Sequence, residues 1–130
     1  MTKPILCLDF DGVIHSYTSG WHGATTIPDP VTPGTFEFID AASEHFKIVV
    51  HSSRAAHENG ANAILIYFAA ERQRWRDAGG QSVATWPVEI EVVDKKPPAF
   101  VTIDDRALTF TGNWADFDIG KLMEFKPWNK

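Results

Sequence analysis

The sequence has one cysteine, no long apolar run and no excess of basic residues, and each shortage excludes a class of protein. With Cys7 as its single thiol the chain can form no internal disulfide, so we expect a buried thiol and a reducing, cytoplasmic environment. No apolar stretch approaches the length of a membrane span and no secretory leader is visible, so we expect no membrane association. The net charge of -5 argues against strong non-specific binding of nucleic acids.

What remains is the composition of an ordinary globular protein, with 44% hydrophobic and 22% charged residues. The 130 residues fit one domain, 1–130. Short apolar runs bounded by turn signals predict strands at 5–8, 46–51, 83–85, 88–93, 100–103 and 109–112. Apolar residues at helical spacing predict helices at 33–42 (with Thr32 as N-cap), from His57 or Ala61 to Ala78, and at 116–125. Strands that alternate with helices predict an α/β protein with a parallel sheet.

The first predicted strand ends in two carboxylates and a glycine, Asp9, Asp11 and Gly12. Open α/β sheets bind their ligands at the carboxyl ends of strands, and residues two apart in an extended chain point the same way. Like charges so close together resist ionisation unless a cation lies between them, and a hard cation such as Mg²⁺ fits oxygen ligands. The alternative is a pair of solvated aspartates in a turn.

Polar side chains also follow two later strands, with Ser52 after the run 46–51 and Asp104 and Asp105 after the run 100–103. Parallel strands present their carboxyl ends on one edge of a sheet, so these groups could converge with Asp9. Mg²⁺, Ser52 and Lys96, shortly before the last of these strands, would offset the charge of a phosphate. A carboxylate can also act as a covalent nucleophile on phosphorus.

The order of these motifs resembles that of the haloacid dehalogenase superfamily of phosphohydrolases. The matching segments are Leu-Asp-Phe-Asp-Gly at 8–12, Val-Val-His-Ser at 49–52, Lys-Pro at 96–97 and Ile-Asp-Asp at 103–105. The resemblance extends over most of the chain, and the first and fourth segments are the specific ones. It implies a Rossmann-like three-layer αβα sandwich with a central, mostly parallel sheet.

The resemblance also implies a Mg²⁺-dependent phosphatase with defined residue roles. Asp9 would be the nucleophile that forms an aspartyl-phosphate, and Asp11 would be general acid and then general base. Ser52 would hold the phosphoryl oxygens and Lys96 would neutralise charge, with Ser53 and Lys95 as the competing choices. The Mg²⁺ ligands would be Asp9, the backbone carbonyl of Asp11, and Asp104 or Asp105.

Many members of this superfamily carry a cap domain, which we do not expect in this sequence. The stretch 13–32 is interrupted by glycine and proline and predicts only a loop or a small hairpin flap. The stretch 79–94 is too short for a second domain, so the chain resembles a capless member. An open site of this kind goes with a large or nucleotide-type phosphorylated substrate, or with a homo-oligomer in which a second subunit supplies the lid.

Several side chains beside the motifs are candidates for contact with the substrate. Aromatic rings can stack on bases, although Trp21 could instead pack on the domain, and the arginines could instead form surface ion pairs. The candidates are His15, Tyr17, Trp21 and His22 in the flap, and Ser53, Arg54 and Arg106 next to the motif residues.

Two other classes of protein share part of this pattern. A receiver domain of phosphorelay signalling also uses acidic residues, Mg²⁺, a hydroxyl and a lysine, but its acidic pair comes first in the chain and its phospho-acceptor later. A non-catalytic binding module could use the same fold. It would gain little from clustered carboxylates, because like charges are costly to hold together without a cation.

Overall fold

The computed structural model describes residues 2–82 and 88–130, and a four-stranded sheet lies at its centre. The strands are β1 (Ile5–Asp9), β2 (Lys47–His51), β3 (Ile90–Val93) and β4 (Val101–Ile103). Their order is β3-β2-β1-β4, and each neighbouring pair is parallel. The predicted α/β arrangement with a parallel sheet is therefore confirmed. The strand predicted at 83–85 lies outside the described residues.

The strand order reverses direction next to β1. The chain moves from β1 to β2 to β3 on one side and then places β4 on the other side of β1. Leu8 pairs with Val50 in β2 and with Ile103 in β4, so the three strands end at nearly the same level. Open α/β sheets bind ligands in the crevice at such a reversal. The predicted site residues Asp9, Asp104 and Asp105 lie at this edge, where β1 and β4 end.

Two helices cover the face of the sheet that carries Leu6 and Leu8. They are α1 (Thr35–Ala42) and α2 (Gly60–Asp77). The buried core cluster is formed by Leu6, Leu8, Phe10, Ile14, Phe36, Ile39, Ile48, Val50, Ile64 and Phe68. Cys7 alternates with Leu6 and Leu8 along β1 and is fully buried, as expected for a structural thiol. Within 2–82 and 88–130, no helix has both the length and the apolar character needed to cross a membrane.

The start of α1 and the buried face of α2 differ from the sequence prediction. Thr32 does not cap α1, because its hydroxyl donates to the carbonyl of Val13 at 2.7 Å, and Gly34 in the left-handed region (φ 85°) precedes the helix. On α2, Leu65 was predicted to pack on the sheet but is 44% exposed. Glu71 is buried instead, because its carboxylate accepts a hydrogen bond from the backbone N–H of Val31 at 3.1 Å.

The chain after β4 contains less regular structure than predicted. The edge strand expected at 109–112 is absent from this described region, where Gly112 turns the chain with φ 94°. The helix expected at 116–125 is reduced to α3 (Ile119–Met123), preceded by a 3-10 helix at Trp114–Asp116. Phe117 and Asp118 separate the two. The extended backbone of Phe117 ends the first, and the carboxylate of Asp118 caps the second by accepting from the N–H of Lys121 at 3.0 Å.

Candidate functional site

Three aspartates meet at the carboxyl ends of β1 and β4. Asp9 is the last residue of β1, and Asp104 and Asp105 follow β4 directly. One carboxylate oxygen from each lies within 4.8 Å of the others. The backbone N–H of Arg106 donates to Oδ1 of Asp104 at 2.8 Å and so fixes the turn after β4. The convergence expected from a parallel sheet is present for these three residues.

The electrostatics of this cluster favour a bound cation. Burial, the charge of Asp104, and the hydrogen bond and charge of Asp105 raise the pKa of Asp9 to about 7. Oδ1 of Asp105 is buried and has no hydrogen-bond partner among residues 2–82 and 88–130. A side chain at Gly12 would overlap the carboxylate of Asp105, so the glycine leaves room for that group. Carboxylate oxygens at this spacing fit a hard divalent cation, which Asp9, Asp104 and Asp105 would hold.

The side chain of Asp11 lies outside this cluster and has two other partners. Arg54 donates from Nε to Oδ2 at 2.9 Å and from Nη2 to Oδ1 at 3.0 Å. His15 Nδ1 lies 2.8 Å from Oδ1, and the backbone N–H of Asp29 donates to His15 Nε2 at 3.1 Å. Because Nε2 accepts, Nδ1 carries the proton and donates to Asp11. A metal contact through the backbone carbonyl of Asp11 stays a prediction.

These partners keep Asp11 ionised. Burial alone would raise the pKa of Asp11, but the hydrogen bonds from His15 and Arg54 and the charge of Arg54 lower it below its usual value. The pKa of Asp9 is therefore raised and that of Asp11 is lowered, although the two residues lie only two positions apart. Pairs of acids with separated pKa values are typical of sites that transfer protons.

Arg54 also binds the flap. Its Nη1 donates to the carbonyl oxygens of Gly23, Ala24 and Thr26 at 2.8, 3.1 and 3.1 Å. Arg54 and His15 are both fully buried, at 0% exposure. The expectation that these two side chains are open to a substrate is therefore wrong, because both are surrounded by protein partners. They position Asp11 and fasten the loop between β1 and α1.

Five of the remaining predicted residues line a cleft of about 310 Å³, namely Tyr17, Trp21, Ser52, Ser53 and Arg106. Ser52 is 4% exposed, and its Oγ accepts from the backbone N–H of Arg54 at 3.2 Å. Trp21 is 49% exposed, and its ring lies 4.7 Å from the guanidinium carbon of Arg54. The lining residues are Asp9, Asp11, Tyr17, Trp21, Ser52, Ser53, Asp105 and Arg106.

Lys96 is the one predicted catalytic residue that does not line this cleft. Its side chain is exposed and makes no hydrogen bond or ion pair within the described part of the chain. Burial raises the pKa of the Cys7 thiol, and a hydrogen bond with Thr102 and the charge of Lys96 oppose that shift. The role of Lys96 in neutralising phosphate stays a prediction.

Two residues at the site were not found from the sequence. Asp29 is buried and lies against His15, and its carboxylate accepts from the backbone N–H of Ser19 at 2.8 Å. Trp128 donates from Nε1 to the carbonyl of Gly12 at 2.6 Å, across 116 positions of sequence. No local sequence motif predicts either contact, because both join residues that are brought together only in the folded chain.

Comparisons of the chain with family models, with curated proteins and with solved structures found no match. The geometry of the cleft and the order of the motifs are therefore what bear on function.

Proposed function

We propose that the protein is a Mg²⁺-dependent phosphatase that hydrolyses a phosphomonoester through an aspartyl-phosphate on Asp9. In this proposal it is a capless member of the haloacid dehalogenase superfamily with a Rossmann-like three-layer sandwich fold. The main support is the position of Asp9. Asp9 is the last residue of β1, and the strand order reverses next to this strand. Its carboxylate lies in the cluster with Asp104 and Asp105. It also lines the same cleft as Asp11 and Ser52.

The chemistry divides into two displacements at phosphorus. An oxygen of Asp9 forms a bond to phosphorus as the bond to the leaving alcohol breaks, and the protonated form of Asp11 gives the alcohol its proton. Water then attacks the aspartyl-phosphate, gives its proton to Asp11, and releases phosphate with Asp9 restored. The lowered pKa of Asp11 suits this second, proton-accepting step better than the first.

The remaining groups of the cleft would bind and orient the phosphate. Ser52 and Ser53 line the cleft, and their hydroxyl groups can donate to phosphoryl oxygens. Mg²⁺, when bound, would supply positive charge that offsets the carboxylates and the phosphate. Arg106 lines the same cleft and is exposed, so its guanidinium is available to a substrate.

The metal requirement gives the first test of this proposal. A cation that binds the native state at 100 times its Kd should stabilise it by about 2.7 kcal/mol. For a domain of this size that corresponds to a rise in Tm on the order of 10 °C. We expect Mg²⁺ to raise the Tm in a thermal scan and to support turnover in a screen of phosphorylated metabolites and oligonucleotides.

Two controls make the metal experiment specific. Asp105→Asn should remove most of the Tm increase, whereas Asp77→Asn, at the exposed end of α2, should leave it intact. Full phosphatase activity in excess chelator would contradict the metal assignment. A stable phosphorylated protein without turnover would indicate a phospho-accepting signalling module instead.

The open cleft favours a large substrate, and Trp21 provides the test. A small monoester offers little surface for remote binding, whereas a base stacked on the half-exposed indole is worth about 1–3 kcal/mol. We expect Trp21→Ala to lower kcat/KM about 5- to 100-fold for a phosphorylated oligonucleotide and much less for p-nitrophenyl phosphate.

Trp114→Ala is the matched control, because Trp114 is 78% exposed and packs on Phe110 rather than in the cleft. This variant should treat both substrates as the wild type does. An equal loss on both substrates in Trp21→Ala, together with a lower Tm, would show that Trp21 is a packing residue.

A further inference from the structure

The segment 127–130 lies against the loop that borders the cleft. Pro127 is buried, Trp128 donates from Nε1 to the carbonyl of Gly12 at 2.6 Å, and Asn129 donates from Nδ2 to the carbonyl of Ser16 at 2.9 Å. Both acceptors belong to the loop between β1 and α1, and Gly12 directly follows Asp11. Segment 127–130 therefore borders the site although it is remote in sequence.

Lys130 extends this border to Tyr17. Its Nζ lies 6.0 Å from the centroid of the Tyr17 ring, and that ring lines the cleft with Asp9 and Asp11. Tyr17 has φ 60°, a left-handed conformation that favours glycine, and such backbone angles concentrate at functional sites. The Tyr17 ring therefore lies between Lys130 and the cleft, and the flexible side chain of the lysine can reach past that ring.

Trp128 is held in place by a hydrogen bond from the edge of its indole ring and not by burial. Its side chain is 63% exposed although its only ring donor is already bonded. An indole held in this way keeps a ring face open to solvent beside Gly12. Together with Trp21, which is 49% exposed, the surroundings of the cleft offer two indoles whose orientation is set by other groups.

The charges near the cleft complete the pattern. Arg54 is neutralised by Asp11, whereas two other described cations lie on this side, Arg106 in the cleft and Lys130 beyond Tyr17. One phosphate at Asp9 can use Arg106. Lys130 lies farther out and is placed for a second negative group of the same substrate.

We propose that segment 127–130 forms the second part of the substrate site, and that the substrate is a single-stranded oligonucleotide with a terminal phosphate. A base stacks on Trp128, and the neighbouring phosphodiester pairs with Lys130. This proposal rests on the proposed phosphatase function. Exposed aromatic faces next to cations bind single strands without sequence preference. A phosphopeptide would offer neither an obligatory ring nor a second phosphate at a fixed spacing.

The salt dependence of binding gives a quantitative test of the proposal, because the protein has a net charge of -5. Because the protein as a whole repels polyanions, binding depends on the few cations at the site, and the salt dependence is correspondingly shallow. Each phosphate neutralised on a single strand contributes about 0.7 to the slope of log affinity against log salt concentration. Loss of Lys130 should therefore lower the slope by about 0.7.

The test compares a 5′- or 3′-phosphorylated hexathymidylate with p-nitrophenyl phosphate in the presence of Mg²⁺. We expect Trp128→Ala to raise the KM for the oligonucleotide about 5- to 100-fold, with a smaller effect on kcat and on the small substrate. Trp128→Phe, which keeps a stacking ring and loses the donor, should show an intermediate KM. Lys130→Ala should flatten the salt dependence. Trp114→Ala and Lys121→Ala, which alter exposed side chains away from this cleft, serve as controls.

A binding measurement separates this proposal from the phosphatase assignment. Fluorescence anisotropy with the Asp9→Asn variant and a labelled, phosphorylated hexathymidylate reports affinity without turnover. If the wild type hydrolyses no phosphoester but Trp128→Ala weakens this binding, the enzyme assignment fails and the binding surface stands. If Trp128→Ala and Lys130→Ala bind the oligonucleotide as tightly as the controls, the inference is overturned. A clear preference for a phosphopeptide would overturn it equally.

Discussion

Asp9→Asn is expected to abolish phosphatase turnover and to prevent any covalent attachment of phosphate to the protein. The amide is a poor nucleophile towards phosphorus, and no other residue of the cleft occupies the end of β1. Rapid quenching with a labelled phosphoester, followed by peptide mass spectrometry, should place the label on Asp9 in the wild type and nowhere in the variant. Label recovered on Ser52 would refute the assignment of the nucleophile.

The same substitution should stabilise the metal-free fold. Such a result would show that the loss of activity does not come from unfolding. The folded pKa of Asp9 is raised to about 7, whereas the unfolded value is about 4. Its stabilising effect is therefore complete below about pH 4 and is lost as the pH rises through 7. We expect Asp9→Asn to exceed the wild type in Tm at pH 8 without Mg²⁺, by on the order of 5 °C, and to match it near pH 4.

This pH window belongs to Asp9 and not to the other shifted aspartates. The pKa values of Asp11 and Asp29 are lowered, so their stabilising effects are lost only as the pH falls below about 4. A Tm difference that stayed constant between pH 4 and pH 8 would contradict the raised pKa of Asp9.

Arg54→Met should destabilise the fold strongly. Arg54 is fully buried, and its guanidinium binds Asp11 and three carbonyl oxygens of the flap. Removing one partner of such a pair leaves the other charge uncompensated, at a loss of about 3–5 kcal/mol in the free energy of unfolding. Urea denaturation measures this loss, and limited proteolysis should show earlier cleavage within 13–32.

Two further variants isolate the cause of this loss. Arg76→Met, at an exposed position near the end of α2, should change stability by no more than about 0.5 kcal/mol. The double variant Arg54→Met with Asp11→Asn should recover part of the loss, because no charge is then left unpaired. An Arg54→Met variant as resistant to urea as the wild type would rule out this account of the arginine.

The strands that form the described sheet could be predicted closely because their signal is local, whereas the strand predicted at 109–112 did not form. Apolar runs of four to six residues ended in polar groups, and the observed β2 and β4 begin one residue later than predicted. The meeting of Asp9 with Asp104 and Asp105 also followed from local information. Parallel strands share an edge, so residues that end such strands come together whatever their separation in sequence.

The partners of Asp11 could not be predicted in the same way. Arg54 is 43 positions from Asp11, and nothing in its neighbours distinguishes a buried arginine from a surface one. The helix predicted at 116–125 fails for a related reason. Its apolar residues have helical spacing, yet Ile119 and Met123 are 77% and 83% exposed, so these side chains gain little from packing and the helix stays short.

The way Arg54 binds the flap has a consequence for protein engineering. Its three acceptors there are main-chain oxygens, which every amino acid possesses, so the attachment is indifferent to most side chains at those positions. Gly23 is the exception, because φ 104° restricts it to glycine-like conformations. Ala24 and Thr26 can therefore be randomised in a library without releasing the loop, so the sequence of this part of the flap can be varied while the cluster of Asp9, Asp104 and Asp105 stays unchanged.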